Sequence, residues 1–290
     1  MTDRLVHRLV VDGAHFVVEE HGPPQAAPVV LLHGFTGDRT TWEPVATALA
    51  RTHRVLIPDL PGHGETRVGL DPERFGMASV TDLLVAGLSR LGVSRTALLG
   101  YSMGGRLSLF VALERPELVS RLVLESASAG LASEAARAQR RAADEALAYF
   151  VLTHSREAFA ERWAELPLFA SQARLAPAVR ERQRAQRRRC RRAGLAASLR
   201  GMGTGVQPWL GDRVSELAMP VLLITGALDA KFTRLAADLR ARVRDGSHEV
   251  VAAVGHTVHL EAPGRFLEIV EPFLAHTSAR EGESECRSTG

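Results

Sequence analysis

A serine bracketed by glycines constrains this chain more than any other feature. Residues 95–106 read Arg-Thr-Ala-Leu-Leu-Gly-Tyr-Ser-Met-Gly-Gly-Arg. The apolar run 97–99 predicts a buried strand, and 107–113, rich in good helix formers, predicts a helix. Gly100-Tyr101-Ser102-Met103-Gly104 therefore sits in the strand–turn–helix setting that gives a G-x-S-x-G pattern its meaning. Such a turn holds the serine in a strained backbone conformation and leaves no room for neighbouring side chains, hence the glycines. It also exposes the Ser102 hydroxyl at a helix N-terminus, where backbone N–H groups favour developing negative charge.

The flanking sequence extends the pattern. Alternation over 4–21, broken by Asp12-Gly13, predicts an antiparallel hairpin at the start of the sheet. The continuous apolar run 28–32 predicts a central strand buried on both faces. A glycine-rich loop, His33-Gly34-Phe35-Thr36-Gly37-Asp38, follows it. Further expectations are a helix over 42–50, a strand over 54–58, a tight loop over 59–64, a helix over 77–93 and a strand over 122–125. From 129 to 210 the pattern is helical with no strand. Strand and helix signals then resume: a strand over 220–226, a helix over 235–243, a strand over 248–254 and a helix over 263–273. Alternating units of this kind imply an α/β fold, a mostly parallel central sheet with helices on both faces. The domain reading is a core of residues 1–128 and 211–276, an α-helical cap inserted over 129–210 at the carboxyl edge of the sheet, and a polar tail, 277–290, expected to be disordered.

Composition narrows the function classes. At 290 residues, with 46% hydrophobic and 24% charged side chains, the chain is ordinary for a globular protein. No apolar run reaches the roughly 20 residues that span a bilayer, and the N-terminus lacks a basic-then-apolar leader pattern, so a cytoplasmic protein without a membrane partner is expected. Two cysteines, Cys190 and Cys286, support neither a disulfide framework nor a metal site. The net charge of +3 hides an uneven distribution, for residues 171–200 hold ten arginines against one glutamate. A solvated helix face accounts for most of these; steering of a polyanionic substrate is a second account. Nucleic-acid binding is disfavoured because no aromatic residue is interleaved and no binding motif is present. Of 36 basic residues one is a lysine, Lys231, either placed for its compact charge or a chance surface residue.

A serine hydroxyl becomes a useful base or nucleophile only when a histidine accepts its proton, and that histidine needs a carboxylate to fix its tautomer. His256, after the strand at 248–254, and Asp229, after the strand at 220–226, are the expected partners. The order Ser…Asp…His is the one that accompanies such a serine turn in α/β sheets. Glu125 is the alternative acid. His33, His63 and His259 are rival histidines, each in a loop where bonding to the backbone is expected. Two amide donors for a developing oxyanion are expected from Met103, next to the serine, and Phe35, in the loop after the central strand.

These residues resemble the α/β-hydrolase superfamily across residues 5–275. Within it the chain is similar to the menaquinone-pathway lyases that form 2-succinyl-6-hydroxy-2,4-cyclohexadiene-1-carboxylate. The likeness rests on Leu32-His33-Gly34-Phe35-Thr36-Gly37, Gly100-Tyr101-Ser102-Met103-Gly104-Gly105-Arg106, Trp163-Ala164-Glu165-Leu166-Pro167-Leu168-Phe169, Leu199-Arg200-Gly201-Met202-Gly203-Thr204-Gly205 and Asp229-Ala230-Lys231-Phe232. The resemblance implies a small polycarboxylate substrate, held by Arg106 and by the cap arginines Arg140 and Arg187, with Trp163, Tyr101 and Lys231 also in the pocket. Around Arg187 the register is open, since Arg188, Arg189, Arg191 and Arg192 offer alternative matches. It further implies pyruvate elimination with Ser102 as base, and neither a metal nor an organic cofactor. The rival readings are a hydrolase using the same three residues on an ester or a carbon–carbon bond, and a binding protein without catalysis. Nothing in the sequence sets the oligomeric state.

Overall fold

The computed structural model describes residues 4–275; the proposed tail 277–290 and Cys286 lie outside them. Eight strands form one sheet in the order β1-β2-β4-β3-β5-β6-β7-β8. β1 (Leu5–Val11) and β2 (Ala14–His21) make the anticipated hairpin. Asp12 and Gly13 turn it with φ of 46° and 73°, the left-handed pair that a two-residue hairpin requires. β2 runs antiparallel to β4 (Arg54–Pro58), and every later pairing is parallel.

β3 (Pro28–Leu32) shows why the central strands are apolar throughout. Val29 and Leu31 pack on one face with Trp42, Ile57 and Phe266, while Val30 and Leu32 pack on the other with Leu84, Leu88 and Leu107. A two-residue period with both faces covered demands hydrophobic side chains at every position. The covering helices are α1 (Glu43–Leu49), α2 (Met77–Arg90) and, after β5 (Thr96–Tyr101), α3 (Met103–Glu114). β6 (Val119–Glu125) follows.

Between β6 and β7 (Val221–Gly226) the described residues contain helices and no strand: α4 (Glu134–Thr153), α5 (Arg156–Ala164), a 3-10 stretch over Pro167–Arg174, α6 (Pro177–Arg189) and α7 (Arg192–Met202). They carry a small core of their own, with Val151, Phe159, Cys190 and Leu195 buried together and Phe35 of the β3 loop packed against it. None of the described helices is long and apolar enough to cross a membrane.

The remaining elements correct several boundaries. The helix expected over 235–243 is α8 (Ala230–Arg240), which starts earlier because the Asp229 carboxylate accepts from Phe232 N and caps it. The strand expected over 248–254 is β8 (Gly246–Val251), where its ladder with β7 ends. A short helix, α9 (Val258–Glu261), precedes α10 (Pro263–Ala275) and left no periodic trace in the sequence. The helix expected over 42–50 opens as a 3-10 turn, Arg39–Trp42, capped by Asp38.

Candidate active site

Ser102 closes β5 with φ 52° and ψ −107°, a strained conformation for a residue with a Cβ. The glycines around it are sterically required. A Cβ on Gly104 would lie 2.2 Å from the Leu32 carbonyl oxygen, and one on Gly100 2.4 Å from the Gly104 oxygen. The turn aims the Ser102 hydroxyl at His256, with Oγ 3.2 Å from Nε2. On the other side of the ring, Nδ1 lies 2.6 Å from Asp229 Oδ2. The carboxylate accepts from Nδ1–H, which leaves Nε2 free to accept the serine proton.

His256 is 1% exposed, enclosed by the rings of Tyr101, Phe169 and Phe232. Glu261 holds its loop: one carboxylate oxygen accepts from Gly255 N and the other from Thr257 N, bracketing the histidine. Tyr101 hydroxyl bonds Thr257 Oγ1, to which the cap residue Gln172 also donates. Burial raises the Tyr101 phenol well above its ordinary range, so it stays protonated.

The loop after β3 comes to the same place. Gly34 lies against the Tyr101 ring, where a Cβ would meet it at 2.7 Å. The Phe35 amide meets no acceptor among the described residues, and the Met103 amide is the first of α3, without an intrahelical acceptor. Both are available to an oxyanion. The loop is braced by neutral histidines. His33 Nδ1–H donates to Gly34 O and its Nε2 accepts from Leu60 N.

His63, packed on His33 and Phe35, donates from Nδ1 to Pro61 O. Burial, aided by the neighbouring His33, pushes its pKa down to about 3. The unfolded chain therefore takes up a proton here below pH 6.5 that the folded chain refuses until about pH 3, so stability falls as pH drops through that window. The expected loss at pH 5 is about 2 kcal/mol from this residue alone. Urea midpoints at pH 7 and pH 5 should differ accordingly, and the difference should shrink in His63→Gln; equal midpoints in the native protein would contradict it.

A narrow cavity of about 30 Å³ opens beside Tyr101 and Phe35, walled by Trp163, Phe169 and Arg187. Among the arginines of 187–192, Arg187 is the one that faces it: 5% exposed, its guanidinium 5.4 Å from the Phe169 ring centroid, Nε without an acceptor. The others are engaged outside, Arg188 with Glu181, Arg189 with Asp38, Arg191 with Thr66 O and Arg192 with His154 O. Burial lowers the Arg187 pKa. Trp163 meets Phe35 edge-on, with ring centroids 5.1 Å apart.

Arg106, one turn along α3 from Ser102, is half-buried and donates to Gln207 Oε1 at 2.6 Å. Among the described residues no carboxylate lies in ion-pair range of it. Burial and the charge of Arg140, opposed by the longer-range attraction of Asp144, push its pKa down to about 10, so it remains a cation at neutral pH. Arg140 itself is exposed and spends its Nε on Asp144 at 2.8 Å. Asp144 is 5% exposed with Oδ2 unpartnered, and burial raises its pKa despite Arg140.

Three expectations need correction. Lys231, placed in the pocket by resemblance, is exposed and does not line the cavity; its nearest ring is Phe232. It is the second residue of α8, on the exposed first turn that follows the cap residue Asp229. Glu125, the alternative acid, pairs instead with His259, accepting from Nδ1 at 2.7 Å and from the amide at 3.1 Å. His259 is therefore bound to a buried carboxylate rather than to the backbone. Cys190 is buried and its thiol is pushed up to about 12, so it stays protonated and unreactive. Sequence reasoning missed Glu261, Gln172, Gln186 and Gln207, whose only signal was proximity in space.

The family model described as the alpha/beta hydrolase fold matches residues 27–263, and the chain belongs to that family. A Bacillus subtilis protein provisionally named 2-succinyl-6-hydroxy-2,4-cyclohexadiene-1-carboxylate synthase is 42% identical over 269 residues, 93% of this chain and 98% of that one. The synthase of that name from Salmonella paratyphi A is 34% identical over 87% of this chain and 96% of its own length. The solved structure of MenH from S. aureus superposes with a TM-score of 0.85 at 32% identity, over 89% of this chain and 97% of that one. Within the α/β-hydrolase family, then, the chain is an enzyme that groups with the MenH synthases.

Proposed function

We propose that the chain is the carbon–oxygen lyase of menaquinone biosynthesis that eliminates pyruvate from 2-succinyl-5-enolpyruvyl-6-hydroxy-3-cyclohexene-1-carboxylate, giving 2-succinyl-6-hydroxy-2,4-cyclohexadiene-1-carboxylate. Ser102, its proton passed to His256 and the imidazolium stabilised by Asp229, removes the ring hydrogen alpha to the succinyl ketone. The Phe35 and Met103 amides stabilise the resulting enolate oxygen. The electron pair of the broken C–H bond re-forms the ketone and enters the ring, the double bond shifts, and the ring C–O bond to the enolpyruvyl group breaks. The released enolpyruvate takes a proton at its methylene carbon and becomes pyruvate. No acyl-enzyme forms and no water is consumed.

The observation that carries this reading is a pair of cations with no carboxylate in ion-pair range among the described residues, Arg106, one helical turn from Ser102, and Arg187, in the cavity wall. Sequestering a guanidinium from water without an anion is costly, and a substrate with three carboxylates supplies the missing charges. The similarity to synthases of that name supports the same substrate. The test is pyruvate release from the enolpyruvyl substrate in ¹⁸O-water. One pyruvate per substrate with no label in the cyclohexadiene product is expected. Absence of pyruvate, or label built into a cleaved ester or ring product, would make the chain a hydrolase.

A further inference from the structure

The helical insertion reaches into the oxyanion loop at a buried glutamine. Gln186, on α6, is 5% exposed. Its Nε2 lies 2.7 Å from Asp38 Oδ1, 2.9 Å from Thr41 Oγ1 and 3.1 Å from Thr40 Oγ1. These three residues form the capped turn that ends the loop beginning at Gly34. Two neighbours on the same stretch of chain add to the hold. Arg189 donates to Asp38 Oδ2 at 3.2 Å, and the Cys190 thiol to the Thr36 carbonyl at 3.3 Å.

The loop needs this support. Thr36 sits at φ 67°, a conformation that surrounding structure must impose on a β-branched residue. The loop's other bonds gather at its two ends: Gly34 O accepts from Gly37 N and His33 Nδ1–H, and Asp38 caps the turn, accepting from Thr40 and Thr41. The Phe35 amide lies between these points, and its ring is pinned by Trp163 of the insertion. Arg187, next to Gln186, lines the same cavity, while the Gln186 amide nitrogen is spent on the turn of Asp38.

We infer that Gln186 is a positioning residue: it holds the loop that carries the Phe35 N–H, so that the helix presenting Arg187 to a substrate carboxylate also sets the oxyanion donor. This rests on the lyase reading for the substrate but not for the loop. An oxyanion donor displaced by about 1 Å loses much of its effect on the transition state and little of its effect on substrate binding.

The experiment compares Gln186→Ala with the native protein by pyruvate release and, independently, by the rate at which a serine-directed fluorophosphonate inactivates the enzyme through Ser102. Both kcat and the inactivation rate should fall at least 10-fold, with KM within 3-fold and a melting midpoint that is lowered but stays well above the assay temperature. Values within 2-fold of native, or a raised KM with native kcat, would overturn the inference. Should the native protein release no pyruvate, the lyase reading fails while the phosphonate rates still decide the role of Gln186. If Gln186→Ala does not fold, Gln186→Glu and the double variant Gln186→Glu/Asp38→Asn replace it. The single change sets two carboxylates together; the double change restores a donor–acceptor pair with direction reversed. Recovery of the inactivation rate in the double variant is expected, and no recovery would refute the inference.

Discussion

Ser102→Ala is expected to lower kcat for pyruvate release by about 10³-fold or more while leaving the fold intact. The hydroxyl is the group 3.2 Å from His256 Nε2, and with it gone the imidazole has no side chain through which to act on the substrate carbon. General-base catalysis by a placed group accounts for about 10²–10⁴, and members of such a constellation act as a unit, so removing one forfeits most of what the set supplies. Substrate binding should persist, because Arg106 and Arg187 are untouched. Stability should not change, since alanine at φ 52° carries the same backbone strain as serine. Ser102→Gly should be more stable by about 1 kcal/mol for the opposite reason. A Ser102→Ala enzyme with kcat within 10-fold of native would remove the serine from the chemistry.

Arg106→Ala should cut kcat/KM for the lyase reaction by about 10²–10³, with Arg106→Lys in between. The guanidinium lies one helical turn from Ser102, anchored by Gln207 at 2.6 Å with no carboxylate in ion-pair range among the described residues, and it keeps its charge at neutral pH. A charge-assisted, two-pronged bond to a carboxylate in a water-poor site contributes about 3 kcal/mol or more, and lysine offers the charge without the fork. Hydrolysis of a neutral ester by the same variant, where the native protein shows any, should change by less than about 3-fold. Equal losses on both substrates would mean that Arg106 supports the elbow rather than an anion.

The strands and helices of the sheet layers were legible because their signals are local. A both-faces-buried strand such as β3 must be apolar at every position, a hairpin turn such as Asp12-Gly13 must tolerate positive φ, and the serine turn must have Gly100 and Gly104 where a Cβ would strike backbone. Such demands are met within a few residues of sequence. The boundary errors were local as well. α8 began early because Asp229, singled out for its carboxylate, also serves as a cap.

What the chain alone determined is thus the alternation of elements, the strained serine turn, and the placing of an aspartate and a histidine at later strand ends. Only the tertiary structure decided which side chains meet. It selected Arg187 out of a run of arginines that share one composition, paired Glu125 with His259 across 134 residues, turned Lys231 to solvent, and set Gln186 on the loop of Phe35. Periodicity and turn chemistry are properties of neighbours in the chain. Charge pairing, desolvation and the orientation of a helix face belong to neighbours in space, which no short stretch of sequence encodes.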